Sequence, residues 1–139
     1  ALRVEKSAGR SPRPRHALNI PGCAYSRPQF ASLGLGEEKA IASGHRVRVG
    51  RCPFMANGKA VAMGETEGMV KTVFDATTGE LLGAHMIGAE VTEMIQGYVI
   101  ARTSELTEAE LIETVFPHPT ISETMHEATL AAFDGPLHI

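Results

Sequence analysis

Apolar and polar positions along this 139-residue chain change rhythm near its middle. In the first half they alternate. Residues 45–54, "HRVRVGRCPF", place Val47 and Val49 between arginines and read as a half-buried strand stopped by Pro53. "GMVKTVF" (68–74) is rich in β-branched and aromatic residues, and "ELLGAHMIG" (80–88) is its natural partner. The turn-forming "DATTG" between them predicts an antiparallel hairpin. "GCAYS" (22–26) is a further short strand, followed by a turn at Arg27-Pro28, and "ANGK" (56–59) reads as a turn or bend. "GEEKAIASG" (36–44) predicts a short helix, opened by acidic residues and closed by Gly44 in a left-handed conformation.

After Gly88 the period becomes helical. Val91, Met94, Ile95, Tyr98 and Val99 form an apolar stripe on a helix over 90–105. Gly97 lies inside that helix, where it costs about 1 kcal/mol against alanine, so close packing is expected there. "TEAELIETV" (107–115) opens with a Thr107-x-x-Glu110 capping pattern and stops before Pro117. A last helix over 121–133 is expected to bury Ile121, Met125, Ala128 and Ala132. Strands first and helices later predict an α+β domain, an antiparallel β-sheet packed with helices on one face.

Composition narrows the functional classes. Hydrophobic residues at 43% and charged residues at 21% describe an ordinary globular domain. A net charge of −3 gives no general reason to bind nucleic acid. No apolar run approaches the roughly 20 residues of a membrane helix, and "ALRVEKSAGR" lacks the apolar centre of a signal peptide, so the expected location is cytoplasmic. Residues 1–17 are basic and proline-bearing and read as a flexible arm or linker, with folded structure beginning near Ile20 and the domain spanning 18–139. Cys23 and Cys52 fit no metal or redox spacing and read as two small, half-buried thiols. The six histidines are scattered, and Pro119 argues against a shared helix face for His118 and His126, so no metal site is expected.

The segment "TVFPHPTISETMHEATLAAF" (114–133) carries the candidate chemistry. Prolines on both sides of His118 restrict its backbone, and Glu123 follows one helical turn later. An imidazole with a carboxylate on one ring nitrogen has its tautomer set and its other nitrogen free, which suits proton transfer near neutral pH. A second reading needs no chemistry. Thr120-Ile121-Ser122-Glu123 is itself a capping box, with Thr120 accepting from the Glu123 amide and Glu123 returning to the Thr120 amide. Both readings stand at this point.

Three stretches carry a family resemblance: "NIPGCAYSRPQFASLGLGEEKA" (19–40), "CPFMANGKAVAMGETEGMVKTVFDATTGELLGAHMIGAE" (52–90) and "FPHPTISETMHEATLAAF" (116–133). In this order they resemble the C-terminal interface domain of the flavin-dependent pyridine nucleotide–disulfide oxidoreductases, above all the dihydrolipoamide dehydrogenase group. The resemblance implies a homodimer whose contact includes the helix 90–101 and the terminal segment. It implies that His118, oriented by Glu123, is a catalytic acid/base reaching the partner's flavin and redox dithiol. It also implies that His118 and Pro119 lie against the partner's flavin across a cis His118–Pro119 bond. For the full-length enzyme it implies FAD and NAD as cofactors and the lipoyl-bearing acyltransferase of a 2-oxo acid dehydrogenase complex as partner. The equivalent domain of a glutathione or mercuric reductase, and a stand-alone pairing module without enzymatic activity, stay open.

The departures are large. No G-x-G-x-x-G follows a strand, and the family's C-x-x-x-x-C redox pair is absent, with Cys23 and Cys52 unable to replace it. The chain is therefore read as part of a longer polypeptide, without the FAD- and NAD-binding domains. By itself it is expected to bind no flavin and to lack reductase activity.

Overall fold

Val70 and Phe74 join the main apolar cluster of the molecule, whereas Val73 joins a smaller one. The division follows from the two-residue period of a strand, whose side chains alternate between the two faces of a sheet. It sets the layering of the fold, seen in a computed structural model that describes residues 2–11, 16–133 and 135–138.

Five strands form one sheet: β1 (Gly22–Ala24), β2 (Gln29–Gly34), β3 (Val47–Pro53), β4 (Met69–Asp75) and β5 (Leu81–Gly88). Their order is β1-β2-β5-β4-β3, and every neighbouring pair is antiparallel. The β4–β5 hairpin forms as expected, with Asp75 Oδ1 accepting the Thr77 amide at 2.7 Å and the Thr78 amide at 3.2 Å to shape the turn. β2 was not anticipated. Its small Ala31 and Ser32 have weak strand preference, yet it pairs on both edges and buries Ala31 and Leu33.

The helices are α1 (Leu2–Ser7), α2 (Glu37–Ala42), α3 (Gly58–Met63), α4 (Val91–Thr103), α5 (Glu108–Glu113) and α6 (Glu123–Leu130). Within the basic stretch 1–17, α1 is helical, a 3-10 turn begins at Ala17, and Ala1 and 12–15 lie outside the described residues. α3 replaces the expected bend. Asn57 caps it by accepting the Ala60 amide at 2.9 Å, and Gly64, at φ 72°, closes it. Gly44 closes the turn after α2 at φ 90°, as expected.

α4 and α6 cover one face of the sheet. Val91, Met94, Ile95 and Tyr98 of α4 and Met125 and Ala128 of α6 pack with Leu33, Phe54, Val70, Phe74 and Met86 in the main cluster. The Tyr98 hydroxyl is fully buried and donates to the Met125 carbonyl at 3.0 Å, so its burial leaves no orphaned donor. Gly97 itself is exposed, and a Cβ there would lie 3.0 Å from the Met125 methyl, the far end of a flexible side chain. The short α2 lies on the opposite face, where Ala40 packs with Val73 and Leu82. Glu37 is anchored there by Lys71 at 2.7 Å and Arg51 at 2.8 Å. The α+β class, a sheet with its large helices on one face, is the one expected. Ala132, expected in the core, is only partly buried at its edge.

Candidate active site

The segment between α5 and α6 is held at several points. His126 Nε2 donates to the Ile112 carbonyl at 2.9 Å, and Phe116 packs against the same ring with centroids 5.6 Å apart. Thr120 then engages all three of its polar groups. Its hydroxyl donates to the Pro117 carbonyl at 2.8 Å, its amide donates to Glu123 Oε2 at 2.8 Å, and its carbonyl accepts Asn57 Nδ2 at 3.0 Å. The His118–Pro119 peptide is cis, as is Arg27–Pro28.

His118 Nδ1 lies 2.9 Å from Glu123 Oε1. Burial opposes ionisation of Glu123, but the Thr120 amide, His118 and the charge of His138 outweigh it and hold the carboxyl below its usual range. An ionised carboxylate only accepts hydrogen bonds, so Nδ1 of His118 carries a proton, and in the neutral imidazole Nε2 is the nitrogen with the lone pair. The His118 side chain is 80% exposed, and among the described residues Nε2 has no hydrogen-bond partner. The ring therefore points out of the molecule rather than into its core.

The two readings of Glu123 merge in this geometry. One carboxylate oxygen serves the helix entry and the other the imidazole. Only the carboxylate half of the capping box forms, because the Thr120 hydroxyl turns back to Pro117 and the residue preceding α6 is Ser122, which makes no side-chain cap.

His118 and Glu123 line a recess of about 450 Å³ with Cys52, Phe116, Glu127 and His138. Burial, and secondarily Glu127, push the Cys52 thiol up to about 11, so it stays a neutral packing group; Cys23 is exposed, and neither is half-buried as expected. Asn57, Glu127 and His138 escaped the sequence reading. Glu127 alone left a trace, as a charged residue on the turn of α6 between the apolar Met125 and Leu130. Among the described residues no cluster of His, Cys, Asp and Glu could hold a metal ion, and no helix is long and apolar enough to cross a membrane. Pro117, His118 and Pro119 are all exposed. No phosphate-binding G-x-G-x-x-G follows a strand in this sequence.

Comparison with known proteins places these features in context. The family model for the pyridine nucleotide-disulphide oxidoreductase dimerisation domain matches residues 20–129. A dihydrolipoyl dehydrogenase of Zymomonas mobilis is 66% identical over 125 residues, covering 90% of this chain and 27% of the relative. A dihydrolipoyl dehydrogenase of Rhizobium etli is 60% identical over 136 residues, covering 97% of this chain and 28% of the relative. Among solved structures, the HOCl-induced flavoprotein disulfide reductase RclA from Escherichia coli, as its Cu(II) complex, superposes with a TM-score of 0.76 at 29% identity, covering 80% of this chain and 25% of that one. LpdA from Mycobacterium tuberculosis shares the fold, with a TM-score of 0.84 at 22% identity over 92% of this chain and 28% of that one. The chain thus spans little more than a quarter of the length of the relatives it matches.

Proposed function

We propose that this chain, which belongs to the pyridine nucleotide-disulphide oxidoreductase family as its dimerisation domain, lends His118 as acid/base to the active site of a second subunit. The observation that carries the reading is the His118–Glu123 pair, a ring fixed at Nδ1 and open at Nε2. The whole polypeptide is then a homodimeric dihydrolipoamide dehydrogenase, the activity named for the Zymomonas and Rhizobium relatives. FAD and NAD are its cofactors, a lipoyl-bearing acyltransferase of a 2-oxo acid dehydrogenase complex its partner, and the cytoplasm, with its nicotinamide pool, its place.

Bound flavin and a redox disulfide, both supplied from outside this chain, provide the electron path to NAD+. The part played here is a proton. The substrate S–H bond breaks as His118 Nε2 takes the proton, leaving a thiolate able to attack a disulfide sulfur. Glu123 keeps Nδ1–H aligned and stabilises the imidazolium that results. His118 and Pro119 would border the flavin, which would supply the redox chemistry when bound. The test is the complete polypeptide, assayed for NAD+ reduction by dihydrolipoamide and, separately, for oxidation of a reduced nicotinamide by glutathione disulfide and by mercuric ion. Dihydrolipoamide turnover that collapses in His118→Gln, with flavin content and dimer mass unchanged, is the expected result. Full turnover in that variant would remove the proposed role.

A further inference from the structure

The sheet face on which α2 lies carries a row of polar side chains in direct register. Ser32 of β2 stands opposite His85 of β5, and His85 stands opposite Lys71 of β4. Side chains so placed have Cβ atoms about 4.5–5.5 Å apart, close enough to interact. Ser32 Oγ lies 2.7 Å from His85 Nδ1, and His85 Nε2 lies 3.1 Å from the Leu35 carbonyl oxygen. A carbonyl oxygen only accepts, so Nε2 carries a proton and, in the neutral imidazole, Nδ1 holds the lone pair. The Ser32 hydroxyl therefore donates to His85. Among the described residues no other hydrogen bond reaches Ser32 Oγ, so its lone pairs remain for an electrophile. A hydroxyl hydrogen-bonded to a base that a third group orients is the arrangement of an activated nucleophile.

Ser32 and His85 are half-buried and line a recess of about 610 Å³ with Gly34, Glu37, Ile41 and Lys71. Lys71 gives one of its three ammonium donors to Glu37 at 2.7 Å, which leaves two for an oxyanion forming in the recess. On the side away from α2, Phe30 and Ile87 are the next residues of β2 and β5 on the same face, and they too stand opposite each other. They are 44% and 41% exposed, an apolar ledge beside the hydroxyl. We propose that Ser32 and His85 form a second, nucleophilic site, at which Ser32 takes the acyl group of an activated ester with a short apolar chain. His85 Nδ1 accepts the Ser32 proton as Oγ bonds the ester carbonyl carbon. The bond from that carbon to the leaving oxygen then breaks, and the leaving oxygen takes the proton from Nδ1. The products are acyl-Ser32 and the free alcohol or phenol, with no electron exchanged. The site lies on the sheet face opposite α6, and its chemistry is independent of the His118–Glu123 pair.

The experiment incubates the complete polypeptide with p-nitrophenyl butyrate and locates the acyl groups by peptide mass spectrometry. Ser43 and Ser104, exposed serines with no described imidazole partner, are the internal reference. Ser32 is expected to be acylated about 10²-fold or more faster than either, the lower end of what a placed base contributes. His85→Gln should remove that advantage and leave Ser43 and Ser104 unchanged. Measured relative to Ser43, butyrate should reach Ser32 faster than p-nitrophenyl acetate does, and Phe30→Ser should erase that preference. Equal labelling of the three serines in the parent, or an unchanged Ser32 rate in His85→Gln, overturns the site. The comparison within the parent needs no variant, so it decides the matter even if His85→Gln fails to fold. Equal rates for acetate and butyrate at Ser32 overturn the role of the apolar ledge.

Discussion

Glu123 divides its carboxylate between two tasks, with Oε1 2.9 Å from His118 Nδ1 and Oε2 2.8 Å from the amide of Thr120 at the entry to α6. One side chain thereby ties the start of a helix to the orientation of an exposed ring. Glu123→Gln separates the tasks in the complete polypeptide. The amide oxygen still accepts from Thr120, but its NH2 then faces Nδ1 and favours the tautomer with the proton on Nε2. The expected outcome is a fall in kcat of about 10-fold or more, up to the roughly 10²–10⁴-fold that placed acid–base catalysis contributes. The expected loss of stability is small, about 1 kcal/mol. Steady-state kinetics beside thermal unfolding gives the answer. If stability falls while turnover holds, Glu123 is a capping residue and no more.

Asn57 couples a different region to the same loop. It caps α3 through Ala60 and donates to the Thr120 carbonyl. Asn57→Ala removes the cap, about 1 kcal/mol, and leaves a part-buried carbonyl without its donor, about another 1–2 kcal/mol. A loss of roughly 2–3 kcal/mol in denaturant unfolding is expected, accompanied by lower turnover of the complete polypeptide. A variant with normal stability would show that the Thr120 carbonyl finds another partner.

β3 and α6 approach so closely that only glycine fits at position 50. A Cβ there would stand 1.7 Å from the Ala128 carbonyl oxygen, a backbone atom that can move only if helix and strand separate. Gly50→Ala is expected to cost at least the upper end of the roughly 1–3 kcal/mol typical of overpacking. Gly58→Ala, at the start of α3 with nothing within 4 Å of the added carbon, serves as the control and should be neutral or slightly stabilising. Denaturant midpoints of the two variants make the comparison.

Asp75 sets an acid-sensitive point of the fold. His45 Nδ1 lies 2.6 Å from its Oδ2, and this contact, followed by the Thr77 amide, holds the carboxyl below its usual range against the opposing effect of burial. A carboxyl depressed by folding contributes stability that is present above its unfolded value, about pH 3.9, and is lost as pH falls through the folded value. Asp75→Asn should therefore lower Tm at pH 5–7, and the gap to the parent should close below about pH 4. A gap that stays constant through that window would mean that His45–Asp75 contributes through shape alone.

The two thiols should react differently. Cys23 is exposed, while burial pushes Cys52 up to about 11. At pH 8 a thiol reagent is expected to modify one cysteine of the native chain quickly and the second only in denaturant. Rapid modification of both would mean that β3 opens on the timescale of the reaction.

The parts of this molecule governed by near neighbours were legible in its sequence. The β4–β5 hairpin follows from two apolar runs around a turn, the α4 stripe from its helical period, and the meeting of His118 with Glu123 from a separation of five residues across a proline-braced entry. Tertiary structure decided the rest. β2 has small residues with little strand preference and exists because two neighbours complete its hydrogen bonds and bury Ala31 and Leu33. α3 is capped by Asn57, whose carbonyl partner Thr120 lies 63 positions away, and Glu127 accepts from residues 10 and 11 positions along. Period, turn chemistry and caps act within a few residues, so they are written locally. A side-chain hydrogen bond between distant segments depends on where the packed sheet and helices bring the backbone, and no local pattern encodes that.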